Sequence, residues 1–286
     1  MSRLFTLVVL LCVLFNSSAK AQKQRTPPPG TVYLKDNLFI DKSPISNAAY
    51  KEFLFAVQNF WSLQTHEAIS TLPLYGLRLN ENAGSIYITD KKGNILLDSA
   101  NTKPDALLYA GMKISDKLVV DQATNLTMEY YGRATYYNQF PVVYITYEQA
   151  EMFCKWRSDW VMLHYAIDSK SSSDRKKYYS KVTYRLISED EWKYAFDNKA
   201  EIMLSDFGTR NAGSQHTYVN YKNINSRSSD DNFNIYANNF AELLIAKKSM
   251  IGVLWDDATQ SNTQIVTKSY APASNAGFRC ICEVEE

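Results

Sequence analysis

Apolar residues recur at helical spacing in two long stretches of this chain. Over 46–61, Tyr50, Phe53, Leu54, Val57 and Trp61 share one face of a predicted helix. Over 141–167 a strand-like PVVYI run leads into a second helix, with Ala150, Phe153, Cys154, Trp160, Val161 and His164 on one face. Both later helix starts carry a capping box. Thr146 stands three residues before Gln149, and Ser188 three before Glu191, so each hydroxyl can take a backbone N–H while the longer side chain reaches back. Glu189 and Asp190 add negative charge at the positive end of the helix dipole.

Strand signals are shorter. TVYLKDNLFID (31–41) has strand-like stretches, and SIYIT and NILL flank DKKG as a hairpin, with Gly93 available for a positive-φ turn position. Residues 62–130 otherwise show weak periodicity. The connector DSKSSSDRKKYYSK (168–181) reads as polar and solvated, and Gly, Asn and Ser enrichment over 208–232 predicts long loops. Helices and strands mix irregularly, without repeats. That pattern predicts an α+β fold over a doubly wound sheet.

The first 21 residues change the picture of the rest. Arg3, an apolar run over 4–15 and the small-x-small AKA at 19–21 form a signal-peptide pattern, with the run too short to span a membrane. Cys12 lies inside that run behind a poor lipobox, so we expect it to be discarded with the leader. Removing 21 of 286 residues leaves a mature chain of 265, with KQRTPPPG (23–30) held extended by its prolines. Residues 22–30 are then a lead-in and 31–286 a single domain. Loss of Arg3 and Lys20 moves the formal charge from +1 to −1, which gives no footprint for nucleic acid or an anionic membrane surface. Cys154, Cys280 and Cys282 remain, and an oxidising compartment permits one disulfide with one thiol left over. Twenty tyrosines fit a β-rich exported domain better than a sugar-stacking surface.

Familiar catalytic patterns are missing. His66, His164 and His216 are far apart without zinc-ligand spacing, and there is no G-x-S-x-G, Walker loop or G-x-G-x-x-G. DDNFNIYANNFAE (230–242) starts like a calcium loop at Asp230, Asn232 and Asn234. Ile235 then occupies the glycine position and Ala241 the bidentate glutamate position, so the EF-hand reading fails; a looser calcium site or an Asn/Asp-rich turn stays open.

Four segments, in order, resemble the formylglycine-generating enzyme (sulfatase-modifying factor) family: FIDKSPISNAAYKEF (39–53), FPVVYITYEQAEMFCKW (140–156), YRLISEDEWKYA (184–195) and NAGFRC (275–280). The third carries Arg185, Leu186, Glu189, Glu191 and Trp192, the fourth Gly277, Phe278 and Arg279. The resemblance implies a C-type-lectin-like core with long loops and a variable insertion over about 62–128. It also implies a disulfide between Cys154 and Cys280, with Cys282 free. The family's G-N-V-W/A-E-W segment appears as NNFAEL (238–243), so Asn239 and Glu242 are candidates near a calcium ion, although the family's asparagine ligand aligns with Ile235.

Active members use a pair of copper-binding cysteines shortly before G-F-R-C. This chain has no cysteine between Cys154 and Cys280, and residues 256–274 offer only hydroxyls, amides and carboxylates, which are poor ligands for soft Cu(I). The histidine set of the iron-dependent sulfur–carbon bond-forming branch is absent too. The polar stretch between CKW and YRL resembles the gliding-motility lipoprotein branch associated with type IX secretion in Bacteroidetes. Together these imply a non-catalytic binding or scaffold domain of the periplasm or outer membrane, with a protein partner. Trp61, Tyr75 and Tyr87 are candidate aromatic anchors. The rival expectations are a lectin-like binder of glycan or peptide, and an enzyme whose chemistry lies elsewhere.

Overall fold

A computed structural model describes residues 25–82, 85–101, 118–120, 127–130, 135–204, 233–237, 241–246, 249–252, 266–270 and 276–286. The signal pattern, the 208–232 loops and Asn239 lie outside the described residues.

The chain begins with a hairpin, β1 (Thr31–Lys35) and β2 (Leu38–Asp41), whose tight turn places Asp36 at φ 49°. The last strand, β15 (Cys280–Glu285), pairs with β2 on one side and β8 (Lys181–Leu186) on the other. The sheet order β1-β2-β15-β8 therefore joins both ends of the domain in antiparallel register. Helices cover both faces, which explains why β2 is buried at all four positions. Phe39, Tyr184, Leu186, Cys280 and Cys282 pack into one core cluster with α1 (Asn47–Asn59) and α3 (Tyr147–Asp168). Val32, Leu34, Ile40 and Ile281 pack on the opposite face with Trp192 and Ala195 of α5 (Glu189–Lys199). The period-2 alternation of strand side chains makes that division.

The helix starts follow the predicted chemistry. Thr146 and Gln149 bond reciprocally, as do Ser188 and Glu191. Tyr50, Phe53 and Val57 are buried, while Leu54 only packs against the core. On α3, Ala150, Phe153, Cys154 and Val161 are buried, but Trp160 is half-buried and His164 exposed. The predicted apolar face therefore runs out of the core toward its C-terminal end.

A second sheet, β13-β12-β11-β14, comprises Val266–Ser269, Ser249–Gly252, Ala241–Leu243 and Ala276–Gly277, with β11 and β14 parallel. A parallel bridge between Ile187 and Leu244 ties it to the end of β8. The strands β9 (Ala200–Leu204) and β10 (Phe233–Ala237) form a separate parallel pair. This mixture is α+β, as expected.

Three stretches differ from the sequence reading. The strand-like PVVYI run at 141–145 forms no strand and pairs only through the isolated Ser46–Pro141 bridge. The 62–128 region supplies α2 (Leu63–Ile69) and a three-stranded sheet of β3 (Arg78–Asn82), β4 (Ser85–Thr89) and β5 (Ile95–Asp98). The predicted hairpin is β4–β5, with Gly93 at φ 88°; two further strands, β6 (Leu118–Val120) and β7 (Thr127–Tyr130), pair beyond it. Ile69, Leu77, Ile88 and Leu97 from this region enter the main core, so part of it is integral to the domain. The connector 168–181 contains α4 (Ser172–Arg175), and Arg175 is buried because its guanidinium donates to the carbonyls of Tyr179 and Ser180.

Candidate functional site

The YRLISEDEW segment builds a structural joint. Arg185 leaves β8 and donates from Nη1 and Nη2 to the two Glu191 carboxylate oxygens at 2.8 and 2.6 Å. Its Nε donates to Glu283 of the neighbouring strand at 2.6 Å. Glu191 also accepts from the Ser188 backbone N–H at 2.9 Å. Burial opposes its ionisation, but the Arg185 and Ser188 contacts outweigh that and hold the carboxyl at about 2. Leu186 and Trp192 are buried beneath this joint, whereas Glu189 faces outward and accepts from Thr267 at 2.9 Å. The segment sets the angle between β8 and α5.

The NAGFRC segment builds the second joint. Gly277 pairs with Glu242 in the β11–β14 ladder, and Phe278 packs edge-on against Phe153 with ring centroids 5.2 Å apart. Arg279 is 0 % exposed and donates from Nη2 and Nε to the Glu242 carboxylate at 2.6 and 2.7 Å. The Trp192 indole N–H donates to the same carboxylate at 3.0 Å, and Arg279 Nη1 to the Asp41 carbonyl at 3.2 Å. The Asp41 side chain meets Arg157 of α3 at 2.7 Å and accepts the Cys280 N–H at 2.8 Å. Two arginines and two carboxylates thus compensate each other inside the domain, the condition for burying charge.

This geometry does not fit calcium at Glu242. Both its oxygens are already engaged by a guanidinium, and a cation there would confront Arg279 at contact distance. Among the described residues no cluster of three His, Cys, Asp or Glu side chains is placed to hold a metal ion.

Cys154, Cys280 and Cys282 lie on one face of the main sheet. Cys154 Sγ and Cys280 Sγ are 3.4 Å apart, a non-bonded contact, and burial raises the Cys280 thiol's pKa. Cys282 is buried two positions along the same strand, its thiol pushed up to about 12 by burial. Trp61, an expected anchor, is instead 1 % exposed, because its indole donates to Asp159 at 2.7 Å. His66 Nδ1 bonds the same carboxylate at 2.9 Å. Tyr75 is 40 % exposed and Tyr87 half-buried.

One concavity brings together residues that sequence reasoning did not group. A cleft of about 530 Å³ runs between α3, the start of α1, the 41–46 loop and Pro29–Gly30. Its aromatic wall is Trp156, Trp160 and His164, spaced i, i+4 and i+8 on α3. The Trp rings stack at 6.3 Å and 16°, with His164 edge-on to Trp160 at 4.9 Å. That spacing was readable in the sequence; only the fold reveals that this end of the helix face opens to solvent.

Fold and site define an α+β domain whose closing strand is locked in place by buried arginine–carboxylate pairs, with a cleft beside the lock. The family model for the sulfatase-modifying factor enzyme 1-like domain matches residues 7–253, and the chain belongs to that family. The match covers three of the four resembling segments and stops before Gly277. No curated protein matches the chain.

Proposed function

We propose that this family member is an exported, non-catalytic binding or scaffold protein of the cell envelope. The observation that carries a binding role is the cleft, an aromatic-walled concavity of ligand-holding size with polar residues along its lining. Two features of the sequence support the rest of the reading. The leader pattern directs export, and no cysteine stands between Cys154 and Cys280 to supply the copper-binding pair of active relatives. Cys154 and Cys280 themselves face each other in the core, where they serve packing or a bridge. A C-type-lectin-like core and a place in gliding motility or type IX secretion belong to the same proposal and rest on the segment resemblance. The protein partner is assigned to the 62–128 side, where Tyr75 is an exposed aromatic.

Two measurements test this. Purified protein is expected to leave the cysteine of a sulfatase peptide unconverted, with or without copper; copper-dependent conversion lost on a point substitution in this chain would overturn the non-catalytic reading. Affinity capture from the native envelope is expected to recover a defined protein from the wild type and less of it from Tyr75→Ala. Equal recovery from both would remove Tyr75 from the interface.

A further inference from the structure

We infer that the α1–α3 cleft is a binding site for a short, uncharged oligosaccharide. The inference rests on the binding role assigned to this cleft above, and adds the class of ligand.

The polar groups on the cleft wall are of mixed kind, and several of their side chains have no protein partner among the described residues. Trp156 is 5 % exposed and lines the cleft with its ring, while its indole N–H is buried behind that surface without an acceptor. Glu52, Gln139, Ser43 and His164 also line the cleft, and none makes a hydrogen bond or ion pair among the described residues. Elsewhere on the cleft wall Asp41 and Arg157 neutralise each other at 2.7 Å. The side chains free to meet a ligand are thus one carboxylate acceptor, and an amide, a hydroxyl and an imidazole that both donate and accept. An anion would leave the acceptors unused and meet Glu52. A cation would leave the donors unused. Hydroxyl groups, each donor and acceptor at once, satisfy the whole set.

The aromatic wall supplies the other half of the match. Trp160 lines the cleft half-buried, in contact with Trp156 and His164, and the part of its indole left exposed is an apolar surface complementary to the C–H face of a sugar ring. An extended peptide fits less well, because its recognition by main-chain bonding needs free backbone groups. Here the helices satisfy their own backbone, and the loop N–H groups of Lys42, Ile45 and Asn47 already donate to Gly30, Phe278 and Phe140.

The test uses the full mature chain, with tryptophan emission and calorimetry. The probes are chitotetraose, maltotetraose and a proline-rich TPPPG peptide. One tetrasaccharide is expected to bind with a Kd of about 1 mM or tighter and to perturb tryptophan emission. Trp160→Ala should weaken that binding about tenfold. Gln139→Ala and Glu52→Gln should each weaken it several-fold without moving the melting temperature, which keeps the test decisive if Trp160→Ala folds poorly. Binding of the peptide alone, lost in the Trp160 variant, would overturn the saccharide assignment and leave the cleft a binding site. Failure of all three probes at about 10 mM would overturn the assignment and the cleft's binding role together.

Discussion

Arg279 and Glu242 meet through two parallel hydrogen bonds of 2.7 and 2.6 Å in a site closed to solvent, 37 residues apart in the chain. Removing one partner leaves the other charge buried and uncompensated, so Arg279→Met or Glu242→Leu should each cost about 3–5 kcal/mol in denaturant unfolding. The double variant should recover most of that loss, because two apolar groups can fill the space. A double variant as unstable as the sum of the singles would show that the two residues act independently.

Cys154 and Cys280 are the two thiols in contact, 126 positions apart. In protein from an oxidising compartment we expect a Cys154–Cys280 disulfide with Cys282 free. Closure of so long a loop should stabilise the fold by about 4–5 kcal/mol on the chain-entropy account. Non-reducing peptide mapping decides it: a Cys154–Cys282 link, or three alkylatable thiols, would refute the assignment.

The Arg185–Glu191 joint should make stability depend on acid pH. The folded-state pKa of Glu191 is held at about 2, below its ordinary 4.5. The contribution is therefore complete above about 4.5 and disappears as pH falls toward 2. Glu191→Gln should lower stability at neutral pH by about 1–3 kcal/mol and flatten that acid limb. An unchanged slope between pH 5 and 2 would assign the acid sensitivity to other carboxylates.

Export should leave a mature protein that starts at Gln22, after cleavage behind Ala21. N-terminal sequencing reads this directly, and an intact Met1 or a lipid on Cys12 would contradict it.

Local chemistry was legible in the sequence and long-range chemistry was not. The capping boxes at Thr146 and Ser188 involve side chains three residues apart, so spacing alone reveals them. Asp41 sits in an apolar FID run and gives no sign that it receives Arg157 from 116 residues away. Arg175 lies in a connector whose charge predicts solvation, yet nearby carbonyls draw it inward. Ile88 and Leu97 belong to strands too short for a clear period, and Leu77 lies just before β3 in no element, so their place in the core emerges only from tertiary packing. The cleft was half visible: the predicted helix face included Trp160 and His164 without Trp156, and exposure is a property of what the rest of the chain leaves uncovered.

The position of β15 between β2 and β8 has a temporal meaning. The hairpin made first and the strand made in mid-chain cannot join until residues 280–285 have been synthesised. The central sheet is therefore assembled in one late step, with its two halves held apart until then. On the export proposed above, this order of events would leave the central sheet open during translocation until the closing strand follows.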